Sequence, residues 1–77
     1  MKQHHEDYYG GEDNPHEPIK IIEHYKLGFN LGNAIKYTLR AGKKDPTILG
    51  AIVDLKKAIW YLGRQIEHLE KEQEDQL

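Results

Sequence analysis

The stretch ILGAIVDLKKAIWYLGRQIEHL, residues 48–69, decides the fold class. Large aliphatic side chains recur in it at alternating spacings of four and three residues, a heptad pattern typical of a long helix with one apolar face. We call these side chains the seam: Ile48, Ile52, Leu55, Ile59, Leu62, Ile66 and Leu69. At about 1.5 Å per residue, the seam is longer than two short helices can cover. The pattern therefore predicts that part of the seam packs against another copy of the chain.

Two shorter helices are predicted before this long one. The first covers residues 17–27 and ends before Gly28, a residue suited to a left-handed stop. The second covers residues 31–41, where Asn30 suits the N-cap and Gly42 suits the terminator. No segment alternates between apolar and polar residues as a strand does. The predicted fold is therefore all-α.

The third helix is predicted over residues 46–70 or further, with Asp45 as its cap. We expect one helical domain over residues 17–70, a three-helix unit with a long C-terminal helix, assembled as an oligomer. A flexible acidic arm that also contains His and Tyr, residues 1–16, is expected to precede this domain. A frayed acidic tail, residues 71–77, is expected to follow it.

The composition excludes several classes of protein. The chain has 77 residues and no cysteine, so a disulfide scaffold is impossible. No apolar run approaches the roughly 18 residues of a membrane-spanning helix, and the polar start predicts no secretory signal. With a mean hydropathy of −0.83 and 31% charged residues, little material remains for a core. Small domains in this situation often rely on oligomerisation.

Charge is distributed unevenly along the chain, although the formal net charge is only −2. Residues 1–18 and 65–77 each carry a net charge of −4, whereas residues 19–64 carry +6. A basic middle between acidic ends indicates an anionic ligand bound in the middle. The alternative interpretation is a solvated surface with charged ends. Long nucleic acid is disfavoured as a partner, because the acidic ends would repel its phosphates.

The standard catalytic signatures are absent from the sequence. It contains neither the GxxxxGK[ST] of a P-loop nor the HExxH of a zinc protease, and without serine it has no Ser-His-Asp triad. The five histidines do not follow the spacing of a three-ligand metal site. The sequence therefore predicts no metal site, and it assigns no catalytic residue.

The candidate site is instead a set of polar, basic and aromatic residues. On a helical wheel, four of them share the polar side of helix two, two follow that helix, and three share one side of helix three. Arg and Lys bind phosphate oxygens, Asn and Asp bind a base edge or a ribose, and Tyr stacks on flat rings. The predicted ligand-binding residues are Asn33, Lys36, Tyr37, Arg40, Lys43, Lys44, Asp54, Lys57 and Tyr61.

These residue types suit a pocket for a phosphorylated nucleotide. The alternative is a surface of salt links one helical turn apart, in which Asp54 simply pairs with Lys57 or Arg40. Under the pocket hypothesis, the charge reversal Arg40→Glu is expected to abolish ligand binding and to leave helicity intact.

Two blocks of the sequence resemble a known family. They are GFNLGNAIKYTLRAGKKD, residues 28–45, and DLKKAIWYL, residues 54–62. Both resemble the signature blocks of a small phage-encoded family whose members are labelled nucleotide kinase or SaV-like, and the resemblance covers about residues 15–66. It implies a phage protein that works in the cytoplasm of the infected bacterial host.

The resemblance also implies roles for particular residues. One larger relative is a deoxynucleoside monophosphate kinase that lacks a P-loop. Carried over to this chain, the resemblance assigns phosphate binding to Lys36, Arg40, Lys43 and Lys44. It assigns nucleoside contacts to Asn33, Tyr37, Asp54 and Tyr61.

Three functions are compatible with these observations. The first is an anti-defence protein that sequesters a nucleotide-derived immune signal, such as a cyclic nucleotide, and needs no cofactor. The second is a deoxynucleoside monophosphate kinase, which would need ATP and Mg²⁺. The third is a phage accessory protein that binds a host protein. We expect a nucleotide-type small molecule and a second copy of the chain as partners, and neither a membrane nor long nucleic acid.

Overall fold

A computed structural model of the chain describes residues 14 and 16–76. It contains three helices, α1 (Pro18–Tyr25), α2 (Phe29–Arg40) and α3 (Ile48–Asp75). No strand occurs in this described part of the chain. The prediction of an all-α fold with a dominant third helix is confirmed. Most of the predicted N-terminal arm, residues 1–16, lies outside the described residues.

The turn between α1 and α2 differs from the prediction. The left-handed residue is Lys26, with φ 55°, and not Gly28, whose φ is −77°. The reason is a hydrogen bond from the Leu27 N–H to the Ile22 carbonyl at 2.9 Å, which closes the end of α1 in a Schellman-type cap. Gly28 therefore adopts an extended conformation and becomes the N-cap of α2.

Helix α2 begins earlier than predicted, at Phe29, so the predicted N-cap at Asn30 is wrong. Asn30 lies in the first turn, and its Nδ2 donates to Oε1 of Gln65 on α3 at 3.4 Å. A hydrogen bond to another helix thus takes the place of capping. The other end is as predicted, because Gly42 follows α2 in the left-handed region with φ 80°.

The start of α3 is capped by Thr47 and not directly by Asp45. The Thr47 hydroxyl accepts a hydrogen bond from the Gly50 N–H at 2.9 Å. Oδ1 of Asp45 accepts in turn from the Thr47 N–H at 3.0 Å and from the Thr47 hydroxyl at 2.7 Å. Asp45 therefore does not cap the helix itself but holds the capping residue, Thr47, in place.

The Asp45 contacts predict a local dependence on acid. The two hydrogen bonds from Thr47 lower the pKa of Asp45 below its ordinary value of 3.8. A carboxyl whose pKa is lowered in the folded state contributes stability above the unfolded pKa and loses it as pH falls through the folded pKa. We expect the Thr47 amide to lose its protection against hydrogen exchange as pH falls below 3.8.

The matched variant for that measurement is Asp45→Asn. The Asn carbonyl still accepts from Thr47 but does not titrate. Thr47 amide exchange, corrected for its intrinsic pH dependence, should therefore stay flat over the same acid range. If wild type and Asp45→Asn respond to acid alike, the Asp45 carboxylate does not hold the cap.

Helix α3 ends at Asp75 and so extends into the segment expected to be a frayed tail. The residues after Glu70 are mainly Lys, Glu and Gln, which have high helix propensity, and this favours continuation of the helix. Leu77 lies outside the described residues. Within the described part of the chain, no helix is both long enough and apolar enough to cross a membrane.

The helices pack through small and charged residues. Helix α2 lies along α3, and α1 contacts α2 where Gly32 faces the Ile22 side chain. Among the described residues, the buried hydrophobic side chains are Ala34 and Ala58. All seven seam side chains remain between 42% and 82% exposed. The contact between α2 and α3 therefore leaves the apolar face of α3 uncovered.

Candidate functional site

A buried ion pair joins α2 to α3. Arg40, the last residue of α2, donates from Nη2 and Nε to Oδ1 of Asp54 on α3, at 2.8 and 3.2 Å. The two residues are only 9% and 4% exposed. The sequence left open whether Asp54 binds a ligand or pairs with a basic side chain. In the structure, Asp54 pairs with Arg40. This ion pair links α2 to α3 next to the candidate site.

Three cations surround the ring of Tyr37. The Arg40 guanidinium carbon lies 4.6 Å from the ring centroid, and the ammonium nitrogens of Lys57 and Lys36 lie at 5.2 and 5.5 Å. The ring of Tyr61 lies nearly parallel to that of Tyr37, with centroids 5.9 Å apart and planes at 7°. Cation–π attraction favours this arrangement. We call these five residues the ring cluster.

A cleft of about 540 Å³ lies beside the ring cluster, between the end of α2 and the start of α3. Its charged lining consists of Arg40, Lys44, Asp45, Asp54 and Lys57. Its apolar wall consists of Pro46, Leu49 and Val53. The lining therefore carries three positive groups and two carboxylates.

Both carboxylates of the cleft already accept hydrogen bonds. Asp54 accepts from Arg40, and Asp45 accepts from Thr47. The exposed lysines Lys44 and Lys57, in contrast, form no salt bridge with any described residue. The available charge of the cleft is therefore positive, and the arrangement suits an anion.

The family of the chain is shown by its sequence profile. The profile of DUF3310, a family described as a protein of unknown function, matches residues 3–63. The chain belongs to the DUF3310 family. No curated protein and no solved structure matches it. The range matched by DUF3310 contains all nine predicted site residues and ends at Gly63, within α3.

The structure brings most, but not all, of the nine predicted residues of this DUF3310 chain together. Seven of them belong to the ring cluster or to the lining of the cleft: Lys36, Tyr37, Arg40, Lys44, Asp54, Lys57 and Tyr61. Asn33 lies apart, lines a smaller groove between α1 and α2, and donates from Nδ2 to the Phe29 carbonyl at 2.9 Å. Lys43 has an exposed side chain outside the cleft lining.

The apolar wall of the cleft was not among the residues predicted from the sequence. Leu49 and Val53 precede Lys57 at spacings of four residues, so all three lie on one side of α3. That spacing was a usable signal, although the stronger periodicity of the seam obscured it. Among the described residues of this DUF3310 chain, no three His, Asp or Glu side chains form a group able to hold a metal ion.

Proposed function

We propose that this DUF3310 protein binds a phosphorylated nucleotide, or an immune signal derived from one, and sequesters it without turnover. The observation that carries the proposal is that Lys44 and Lys57 line one cleft and that the Lys57 ammonium nitrogen also lies 5.2 Å from the ring of Tyr37, which stacks on Tyr61. Positive charge and flat aromatic surface are the two features that phosphate and nucleobase require.

The phosphate half of the proposal rests on charge. Lys44 and Lys57 are exposed at the cleft, whereas the charge of Arg40 is balanced by Asp54. Each charge-assisted hydrogen bond between an ammonium group and a phosphate oxygen contributes about 1.5–3 kcal/mol. Lys44 and Lys57 can together donate two such bonds to one phosphate group.

The nucleobase half rests on the tyrosines. Tyr37 and Tyr61 are half-buried, so each residue keeps part of its surface in contact with solvent. Stacking of a base on an aromatic side chain contributes about 1–3 kcal/mol and tolerates different bases. Phe29 lies edge-on to Tyr61, with centroids 5.8 Å apart, and supports that ring from the other helix.

Sequestration is favoured over phosphoryl transfer by the state of the carboxylates. A kinase needs an acidic group to orient the nucleophile and to support Mg²⁺, together with room for two nucleotides. Asp54 is engaged by Arg40, and Asp45 is engaged by Thr47. Neither carboxylate is therefore available for these roles. The alternative function is a deoxynucleoside monophosphate kinase without a P-loop, which would require ATP and Mg²⁺.

The setting of the proposed function follows from the resemblance to phage-encoded proteins. A phage protein that sequesters a nucleotide signal would act in the cytoplasm of the infected bacterial host, as an anti-defence sponge. A phage accessory protein that binds a host protein is the second alternative, and the exposed apolar face of α3 favours it.

The proposal is tested by isothermal titration of the protein with a panel of nucleotides. The panel contains deoxynucleoside monophosphates, ATP, cyclic di- and trinucleotides and cyclic ADP-ribose isomers. We expect one of them to bind and to be recovered unchanged. Lys57→Ala should weaken that binding by about tenfold to a hundredfold, because one charge-assisted bond is lost.

The matched control is Lys56→Ala, since Lys56 is an exposed neighbour of the same charge that does not line the cleft. Binding by Lys56→Ala should equal that of wild type. Equal losses of affinity in the two variants would mean that binding depends on the general positive charge of the chain and not on the cleft. ATP-dependent formation of a diphosphate from a monophosphate would favour the kinase, and binding of no nucleotide would favour the accessory role.

A further inference from the structure

We infer that a second copy of this chain packs antiparallel along the seam of α3. The first argument is the shortage of core. The buried hydrophobic side chains of the described residues are two alanines, whereas the seam exposes seven large aliphatic side chains on one face. A domain of this size rarely remains folded with so little buried apolar area, and the seam contains seven of the thirteen large hydrophobic residues that are exposed in the described part of the chain.

The second argument is the identity of the seam residues. In heptad terms, the a positions are Ile52, Ile59 and Ile66, and the d positions after the first turn are Leu55, Leu62 and Leu69. Apolar residues repeated at the a and d positions of a heptad are typical of a helix that packs against a similar helix. A second copy of the chain carries the same repeat and therefore matches it as a partner.

The orientation follows from charge. The first half of α3, residues 48–61, contains Lys56, Lys57 and Asp54, a net charge of +1. The second half, residues 62–75, contains five acidic and two basic residues, a net charge of −3. A parallel pair would place the two acidic halves side by side, whereas an antiparallel pair places each acidic half beside a basic one.

One antiparallel register pairs all of the seam except its first residue. When Ile59 faces the partner's Leu62, Leu55 faces the partner's Ile66 and Ile52 faces the partner's Leu69. In this register, Ile48 at the start of α3 lies opposite the partner's Gln73 near its end. Six of the seven seam residues thus meet another seam residue.

The proposed interface leaves the candidate cleft open. The cleft residues Gly50, Asp54 and Lys57 lie roughly 140° around the α3 axis from the mean direction of the seam, at 100° per residue. Assembly and nucleotide binding therefore use different sides of one helix. A protein that does not assemble can therefore still bind a nucleotide, and a protein that binds no nucleotide can still assemble.

The orientation is tested with single cysteines, because the chain has none of its own. The variants Ile48→Cys and Gln73→Cys are purified, mixed, allowed to exchange subunits and oxidised. The antiparallel register predicts a disulfide between the two variants and little linkage of either variant to itself. Disulfides that join two copies of the same variant would overturn the proposed orientation. Glu67→Cys, on another side of α3, is the control and should not link.

The interface itself is tested by mass and by a matched pair of variants. Light scattering should give at least twice the 9.0 kDa of one chain for the wild type. Ile52 and Val53 are equally exposed, at 42% and 43%, but only Ile52 belongs to the seam. Ile52→Asp should lose the assembly, and Val53→Asp should keep it. A wild type of 9.0 kDa, or equal behaviour of the two variants, would overturn the interface.

Discussion

Arg40→Ala is expected to destabilise the protein by about 3–5 kcal/mol, the cost of leaving one partner of a buried ion pair alone. Asp54, which receives two hydrogen bonds from Arg40, would remain buried at 4% exposure without its counter-charge. A chain of 77 residues has a total stability of about 4–12 kcal/mol. We therefore expect a large loss of the helical signal at moderate temperature, measured by circular dichroism during urea and thermal unfolding.

Arg64→Ala is the matched control for Arg40→Ala. Arg64 also pairs with an acid, Glu67, at 3.6 Å, but both side chains of this pair are largely exposed. Exposed pairs of this kind contribute about 0.5 kcal/mol or less, so Arg64→Ala should unfold close to wild type. The double variant Arg40→Met/Asp54→Leu should recover most of the stability, because it removes both charges. Equal stability of Arg40→Ala and Arg64→Ala would contradict a buried ion pair.

The buried ion pair between Arg40 and Asp54 changes the result expected for the variant Arg40→Glu. Arg40→Glu was expected to abolish ligand binding with helicity intact, but in the structure it places a second carboxylate against Asp54 in a buried site. We now expect Arg40→Glu to unfold the chain. Loss of binding in that variant would say nothing about a pocket, and Lys57 is the residue to test instead.

The fold was largely predictable from local patterns. The seven seam residues fix a long α3, and Gly42 fixes the end of α2, because both signals depend only on neighbouring residues. The cap of α3 was harder to predict. Asp45 and Thr47 are both good capping residues, and only the hydrogen bond from Gly50 to the Thr47 hydroxyl decides between them.

The site was predictable in its residue types but not in its burial. A helical wheel assigns Tyr37 and Arg40 to the polar side of α2, which is ordinarily the side in contact with solvent. In this chain that side packs against α3, because Asp54 supplies a counter-charge and Tyr61 a ring surface. A pairing between residues on different helices is not encoded in the periodicity of either helix.

Gly50→Ala is expected to destabilise the protein by up to about 2 kcal/mol, although alanine is the better helix former. A Cβ at Gly50 would lie 2.6 Å from Oδ2 of Asp45 and closer still to its Cβ and Cγ. Asp45 would have to move away and release Thr47, the cap of α3. The overpacking penalty of about 1–3 kcal/mol equals or exceeds the gain of about 1 kcal/mol from helix propensity.

Gly63→Ala supplies the comparison within the same helix. A Cβ at Gly63 would meet nothing within 4 Å, so only the propensity gain remains, and this variant should be more stable than wild type by about 0.5–1 kcal/mol. Urea unfolding of both variants gives the two signs directly. If Gly50→Ala were also stabilising, Asp45 would not lie against α3, and the cap and the cleft wall beside it would be arranged differently.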